Sequence, residues 1–244
     1  MRSAFPSGPS PRVRASLALA VAAILAVGTG ATAAAQQQKM PRPSGDRPVE
    51  DRIASFERDE RVARLKPAEV VRALGLHDGM VVADIGAGSG LFSRPFARAV
   101  APRGKVYAVD ISADILEYVR ERAKRENLAN LEVIVSKDDD PMLPPHAVDL
   151  AFFCDTTHHI ADRVPFYKKM IAGLKDGARV ALIDYAPEAA VKGWSSHKAE
   201  ELVPAAQAIA ELEQVGFRFV KELDILPHNY FLIFERKAGP SPGR

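Results

Sequence analysis

Three glycines at alternate positions, Gly86, Gly88 and Gly90, follow the short apolar run Val81–Ile85, and the acid Asp84 stands two residues before the first of them. Glycine lets a backbone turn sharply and approach a ligand with no Cβ in the way. If a helix starts just beyond, its free N–H groups can hold a carboxylate. Further acids follow later apolar runs: Asp110 after Val106–Val109, then Asp138, Asp139 and Asp140 in one cluster. The segment Phe153-Cys154-Asp155-Thr156-Thr157-His158-His159-Ile160 adds one more acid and two histidines. A histidine titrates near neutral pH and can take a proton from a hydroxyl or ammonium group. Neighbours leaving a strand point opposite ways, so one of His158 and His159 is expected to face a pocket. Each feature also has a plain structural reading. Asp110 can cap a helix beginning near Ala113, the acid triplet can be an exposed turn, and the histidines can satisfy backbone groups or cap a helix.

Two ligand classes use such a glycine triplet. The dinucleotide form is G-x-G-x-x-G, but Leu91 occupies its third glycine position and Gly90 comes one residue early. A carboxylate at Asp84 would repel a pyrophosphate and would favour a ligand carrying an ammonium and a sulfonium. On these residues the sequence resembles class I S-adenosylmethionine-dependent methyltransferases, whose first motif is D/E-x-G-x-G-x-G.

The resemblance implies S-adenosyl-L-methionine as cofactor. Gly86, Gly88 and Gly90 would shape its methionine end, and Asp84 would organise the loop and the amino group. Asp110 would accept the ribose hydroxyls. Asp139, four residues before Leu143-Pro144, would meet the adenine amino group, with Asp138 as the alternative. Asp155 would lie beside the methionine end, and His158 or His159 would be the base. Asp155 to Asp162 is similar to the strand-four segment of small-molecule methyltransferases, and the D/N-P-P-Y/F signature of base methylation is absent. Leu174–Arg179 is similar to the family's L-K-P-G-G-R turn with two departures. The lead-in Phe56–Arg61 and Lys66–Val70 resembles exported bacterial methyltransferases. The likeness spans residues 57–236. Its front half also resembles protein-L-isoaspartate methyltransferases, which keeps protein carboxyl methylation open beside a small-molecule acceptor.

The elements that must position these groups alternate regularly. Strands are expected at 81–85, 105–109, 131–135, 148–153 and 178–183. Helices are expected at 67–76, 91–100, 113–127, 163–174 and 197–215. Two late strands, 217–226 and 230–236, are joined by Pro227-His228-Asn229. The pattern specifies an α/β fold: a doubly wound, mostly parallel seven-stranded sheet with helices on both faces and a C-terminal antiparallel hairpin, the Rossmann-like methyltransferase fold. Ligands then sit outside the carboxyl ends of the strands. That places Tyr185, Trp194, His197, His228, Asn229 and Tyr230 on the pocket side. Cys154, at a buried strand end, is expected to pack rather than react.

Of the 244 residues, 47% are hydrophobic and 26% charged, which excludes disorder and a multi-span membrane protein as readings of the whole chain. The single cysteine excludes a disulfide framework and a thiolate zinc site, and no metal site is read from the sequence. Arg2, Arg12 and Arg14, the apolar run Ala15–Val27 and Ala33-Ala34-Ala35 describe a signal peptide over 1–35, followed by a flexible linker at 36–50. The methyltransferase domain is expected at 51–238 and a disordered tail at 239–244. The expected location is periplasmic or secreted, with no stable membrane insertion after cleavage. The alternative is an anchor made by an uncleaved N-terminal helix, and initiation at Met40 would give a leaderless protein. Without residues 1–35 the formal charge of +2 becomes −1, which disfavours nucleic acid as a partner. Two rival functions remain: an NAD(P)-dependent oxidoreductase, which Leu91 and Asp84 oppose, and a non-catalytic exported binding module on a methyltransferase fold.

Overall fold

The structure, a computed structural model, describes residues 47–237. The expected signal peptide, nearly all of the linker and the tail lie outside them. The described residues belong to one compact unit, Gln37–Arg244.

Seven strands form one sheet: β1 (Val81–Ile85), β2 (Lys105–Asp110), β3 (Leu131–Val135), β4 (Val148–Cys154), β5 (Leu174–Tyr185), β6 (Phe217–Glu222) and β7 (Asn229–Arg236). Their order is β3-β2-β1-β4-β5-β7-β6. β1 to β5 run parallel, and β7 runs antiparallel to both β5 and β6. This is the doubly wound sheet with a closing hairpin that the strand and helix alternation specifies. Strand order reverses between β1 and β4, where Ile85 pairs with Phe153. A crevice must open beyond that pair, because the connections leave for opposite faces there.

The central strands are apolar along their length because both faces are covered. Adjacent residues of β4 show it. Phe152 packs on Phe92 and Phe96 at ring-centroid distances of 4.8 and 4.9 Å, whereas Phe153 meets Phe166 and Tyr167 on the other face at 6.4 and 6.1 Å. The first face is covered by α3 (Pro67–Leu74), α4 (Ser93–Val100) and α5 (Ala113–Arg125), the second by α6 (Arg163–Gly173) and α8 (Ala205–Gln214). Burying one such phenylalanine contributes roughly 1.5–3 kcal/mol.

Four differences from the sequence expectation have local causes. Two helices precede α3, α1 (Val49–Phe56) and α2 (Asp59–Leu65), so regular structure begins two residues before the expected start of the domain at residue 51. The helix expected over 197–215 is a 3-10 turn at Ala199–Glu201 and then α8, separated by Pro204, which lacks an N–H and holds an extended ψ of 142°. The expected turn at Lys175-Asp176-Gly177 is absorbed into β5 as an irregularity, with Leu174 already paired to Val148 and Gly177 at φ +73°. β6 stops at Glu222 rather than Leu226, because Leu226 leaves the ladder to be buried in the core. A short α7 (Pro187–Val191) follows β5.

Candidate active site

A cavity of about 710 Å³ opens at the carboxyl ends of β1, β2 and β4, roofed by α1 and α2. Its volume is in the range that takes ligands of drug size. Asp84, Gly86, Gly88, Asp110, Asp138, Asp139, Asp155 and His159 line it. Gly90 and His158 are not among its lining residues.

The glycine turn forms as a strand-to-helix link, but the helix begins at Ser93 rather than Leu91. Gly86, Gly88 and Gly90 all have positive φ. A Cβ on Gly86 would stand 2.3 Å from Thr156 Oγ1, and one on Gly88 would meet the Phe56 ring at 3.3 Å. The missing side chains therefore let the loop close on its own protein neighbours. Its ligand-facing surface is backbone. The expectation of free amides needs correction here. Gly86 and Ala87 donate to the Val109 carbonyl, Gly90 donates to the Ala87 carbonyl, and Gly88 donates to Asp110 Oδ2 at 2.9 Å. Ser89 Oγ is buried on the cavity wall with no hydrogen-bond partner. A buried hydroxyl on a cavity wall can donate to or accept from a ligand atom.

Asp84 is buried and accepts a 2.5 Å hydrogen bond from Ser93 Oγ. Burial pushes its carboxyl up to about 7, and the neighbouring Asp110 adds to the shift against the hydrogen bond from Ser93. Asp110 Oδ1 accepts from the Ser112 N–H at 3.0 Å, so this carboxylate ties the glycine loop to the start of α5. Burial raises its pKa as well, against those two amides. Both its oxygens keep lone pairs for hydroxyl donors. Asp139 accepts from Lys169 Nζ at 2.5 Å on the exposed rim, and Asp138 lines the same cavity.

On the β4 side the geometry is different. Asp155 sits at φ +50°, a left-handed conformation uncommon for a residue with a Cβ. Its Oδ2 faces Arg61 at 3.2 Å and Arg64 at 3.1 Å, and Oδ1 accepts from Asn229 Nδ2 at 2.8 Å. Arg64 also lies over the Tyr185 ring and donates to Asn229 Oδ1. The carboxylate expected beside the methionine end is thus already shared by two arginines. The spacing of Arg61 and Arg64 puts both on one face of α2, a signal the sequence contained. Arg52, also unanticipated, is buried and clamps α1 to Asp114 and Ser112 at 2.8 and 2.5 Å.

The two histidines part company on the 3-10 turn Thr157–His159. His158 is buried behind the cavity wall, with Nδ1 donating to Asp184 Oδ1 at 2.6 Å. Burial alone would lower its pKa, but the Asp184 carboxylate reverses this and raises it. His159 lines the cavity. Burial, with His158 and His197 nearby, takes it down to about 3. A near-neutral titration, which the sequence suggests for either ring, is thus lost at His159. Trp194 stacks on His228 at 4.0 Å instead of standing free. Cys154 is buried, and desolvation pushes its thiol well up, as expected of a packing residue.

Fold and cavity together define a Rossmann-like sheet with an acid-lined crevice at its switch point. A family model described as a methyltransferase domain matches residues 76–222, and the chain belongs to that family. It is 39% identical over 84 residues to a protein-L-isoaspartate O-methyltransferase of Aeropyrum pernix, a match covering 33% of this chain and 32% of that one. The chain thus spans about a third of that relative's length. It is 26% identical over 188 residues to a probable cobalt-precorrin-6B C(15)-methyltransferase of Sulfolobus acidocaldarius, covering 75% of this chain and 94% of that one. A solved SAM-dependent methyltransferase from Aquifex aeolicus superposes with a TM-score of 0.70 at 25% identity, covering 76% and 97%.

Proposed function

We propose that this chain transfers a methyl group from S-adenosyl-L-methionine to a small-molecule acceptor. The observation that carries the proposal is Asp110. It is a half-buried carboxylate at the end of β2, held by the Gly88 and Ser112 amides and lining the cavity. A vicinal diol is the donor pair such a group suits. The orphaned Ser89 hydroxyl and the buried Asp84 fit the polar, cationic end of the same compound.

When bound, the nucleoside supplies an activated methyl group on a sulfonium. The chain's own groups then act mainly by orientation and exclusion of water. Asp110 holds the ribose hydroxyls and Asp139, with Asp138 as the alternative, the adenine amino group. Asp84 and the Gly86–Gly90 loop receive the methionine end. Asp155 fixes α2 over the crevice through Arg61 and Arg64, which closes that end against solvent. His159 presents an imidazole edge at the wall where an acceptor would lie. Leu91 and Asp84 oppose the oxidoreductase reading.

We place the acting domain outside the cytoplasm on the strength of residues 1–35. No helix among the described residues is long and apolar enough to cross a membrane. Mature protein beginning at Gln36 supports cleavage and export, an intact Met1 overturns cleavage in favour of the uncleaved anchor, and a start at Met40 contradicts export.

The test of function is mass spectrometry of small-molecule extracts incubated with the full chain and a methyl donor labelled on the methyl group. A labelled product that depends on the protein and on Asp110 is expected. Label appearing only in protein carboxyl esters would favour the isoaspartate-type reading, and no transfer with intact nucleoside binding would favour a binding module.

A further inference from the structure

Beside the cavity lies a histidine cluster of which the methyl-transfer reading uses only the His159 edge. The rings of His158, His159 and His197 gather with centroid separations of 4.1, 4.6 and 5.5 Å. One nitrogen from each lies within 4.8 Å of the other two. His158 Nε2 and His159 Nδ1 are buried and make no hydrogen bond. Unpartnered ring nitrogens carry a desolvation cost that a core histidine normally avoids by bonding. Two such atoms, on adjacent rings packed against a third imidazole, make a candidate ligand set.

The geometry points to a divalent transition-metal site, zinc foremost, held by His158, His159 and His197. Imidazoles with no thiolate and no carboxylate in the ligand set suit zinc among the common biological ions, and three protein ligands with one open position is the pattern of reactive zinc sites. The outer groups match. Asp184 accepts from His158 Nδ1 at 2.6 Å, which fixes the tautomer and leaves Nε2 as the ligand atom. Asp184 is itself held by Thr157 Oγ1 at 2.6 Å and by the Tyr185 N–H at 2.8 Å. Glu201 Oε2 stands 3.9 Å from His197 Nδ1, placed to become that ring's outer partner. These two carboxylates also offset the charge of the ion.

Tetrahedral bonds of about 2.0–2.1 Å place ligand nitrogens roughly 3.4 Å apart. The rings must therefore draw in by about an ångström. His197 can supply this, because it follows β5 on an irregular segment and is partly exposed. His159 lines the cavity, so an ion here would border the space for the methyl acceptor and could take one of its oxygen or nitrogen atoms. The site does not depend on the methyl-transfer reading, since ion binding is measured without nucleoside.

Untagged full chain, stripped with chelator, is titrated with zinc and with cobalt(II) as a spectroscopic stand-in. The expected result is one ion per chain, cobalt absorption of tetrahedral intensity and a rise in Tm with zinc. His197→Ala and His159→Ala should each weaken binding at least 100-fold and lose the Tm rise, while His77→Ala, at an exposed position, should leave both intact. Far-ultraviolet circular dichroism identifies any variant that has lost its fold. Absence of stoichiometric binding by the unaltered chain, or binding that folded His197→Ala and His159→Ala retain, overturns the site.

Discussion

The two rims of the crevice are built by different means. Along β1 and β2 the site is made by backbone: a positive-φ glycine turn, one carboxylate bonded to two amides, and a serine hydroxyl waiting on the wall. Along β4 and β5 it is made by side chains from distant segments. Asp155 gathers Arg61, Arg64 and Asn229, and Asp184 gathers Thr157 and His158. The first rim can hold one invariant ligand in one pose, because its donors and acceptors are set by local chain geometry. The second can be remodelled by single substitutions without disturbing the sheet.

The contrast can be broken at several points. The largest expected effect is at Asp110. Asp110→Ala removes the ribose acceptor and leaves the Gly88 and Ser112 amides unpaired, so S-adenosylhomocysteine affinity should fall at least about 100-fold by calorimetry. Next is Gly86→Ala. It combines a positive φ of 75° with a Cβ 2.3 Å from Thr156 Oγ1 and should cost about 2–4 kcal/mol in urea unfolding. A loss under 1 kcal/mol would show that the turn can relax and would weaken the backbone account.

On the other rim, Arg64→Ala should cost about 2 kcal/mol, because Asp155 loses one of two cations while staying mostly buried. Adding Arg61→Ala should cost more than the separate effects sum to, as read by a double-mutant cycle. Additive costs would mean that the two arginines do not share one carboxylate.

Asp84 gives a pH test whose sign is fixed. Its folded pKa of about 7 lies above the ordinary carboxylate value of 3.8, so between about pH 4 and pH 7 the folded state holds a proton that the unfolded state has lost. This contribution to stability is full below about pH 4, is lost as pH rises to about 7, and is constant above that. Asp84→Asn should flatten this part of the stability profile, measured by urea midpoints across the range. The smallest effect is expected at Trp194→Ala. The ring is 44% exposed and stacks only at the outer edge, so stability should change by less than about 1 kcal/mol and nucleoside affinity should hold.

The same division explains what could be read from the amino acids. β1, β3, the glycine turn and the start of α5 follow from local patterns, and Val81–Ile85 and Leu131–Val135 have the bounds their hydrophobic runs suggest. The helix expected across Pro204 failed because the apolar period continued through a residue that cannot donate. The pairing of Asp155 with α2 joins residues more than ninety positions apart, and no local pattern encodes such a pairing. His158 and His159 were legible as a pair, but their separation into a wall residue and a cavity residue depends on Asp184 at the end of β5, which captures one ring.

Equilibrium binding to the unaltered full chain puts the central claim to the most direct trial, with S-adenosylhomocysteine and NADH titrated separately and then in competition. The account predicts one saturable S-adenosylhomocysteine site per chain that NADH neither occupies nor displaces. No heat from S-adenosylhomocysteine, or its displacement by NADH, would contradict it.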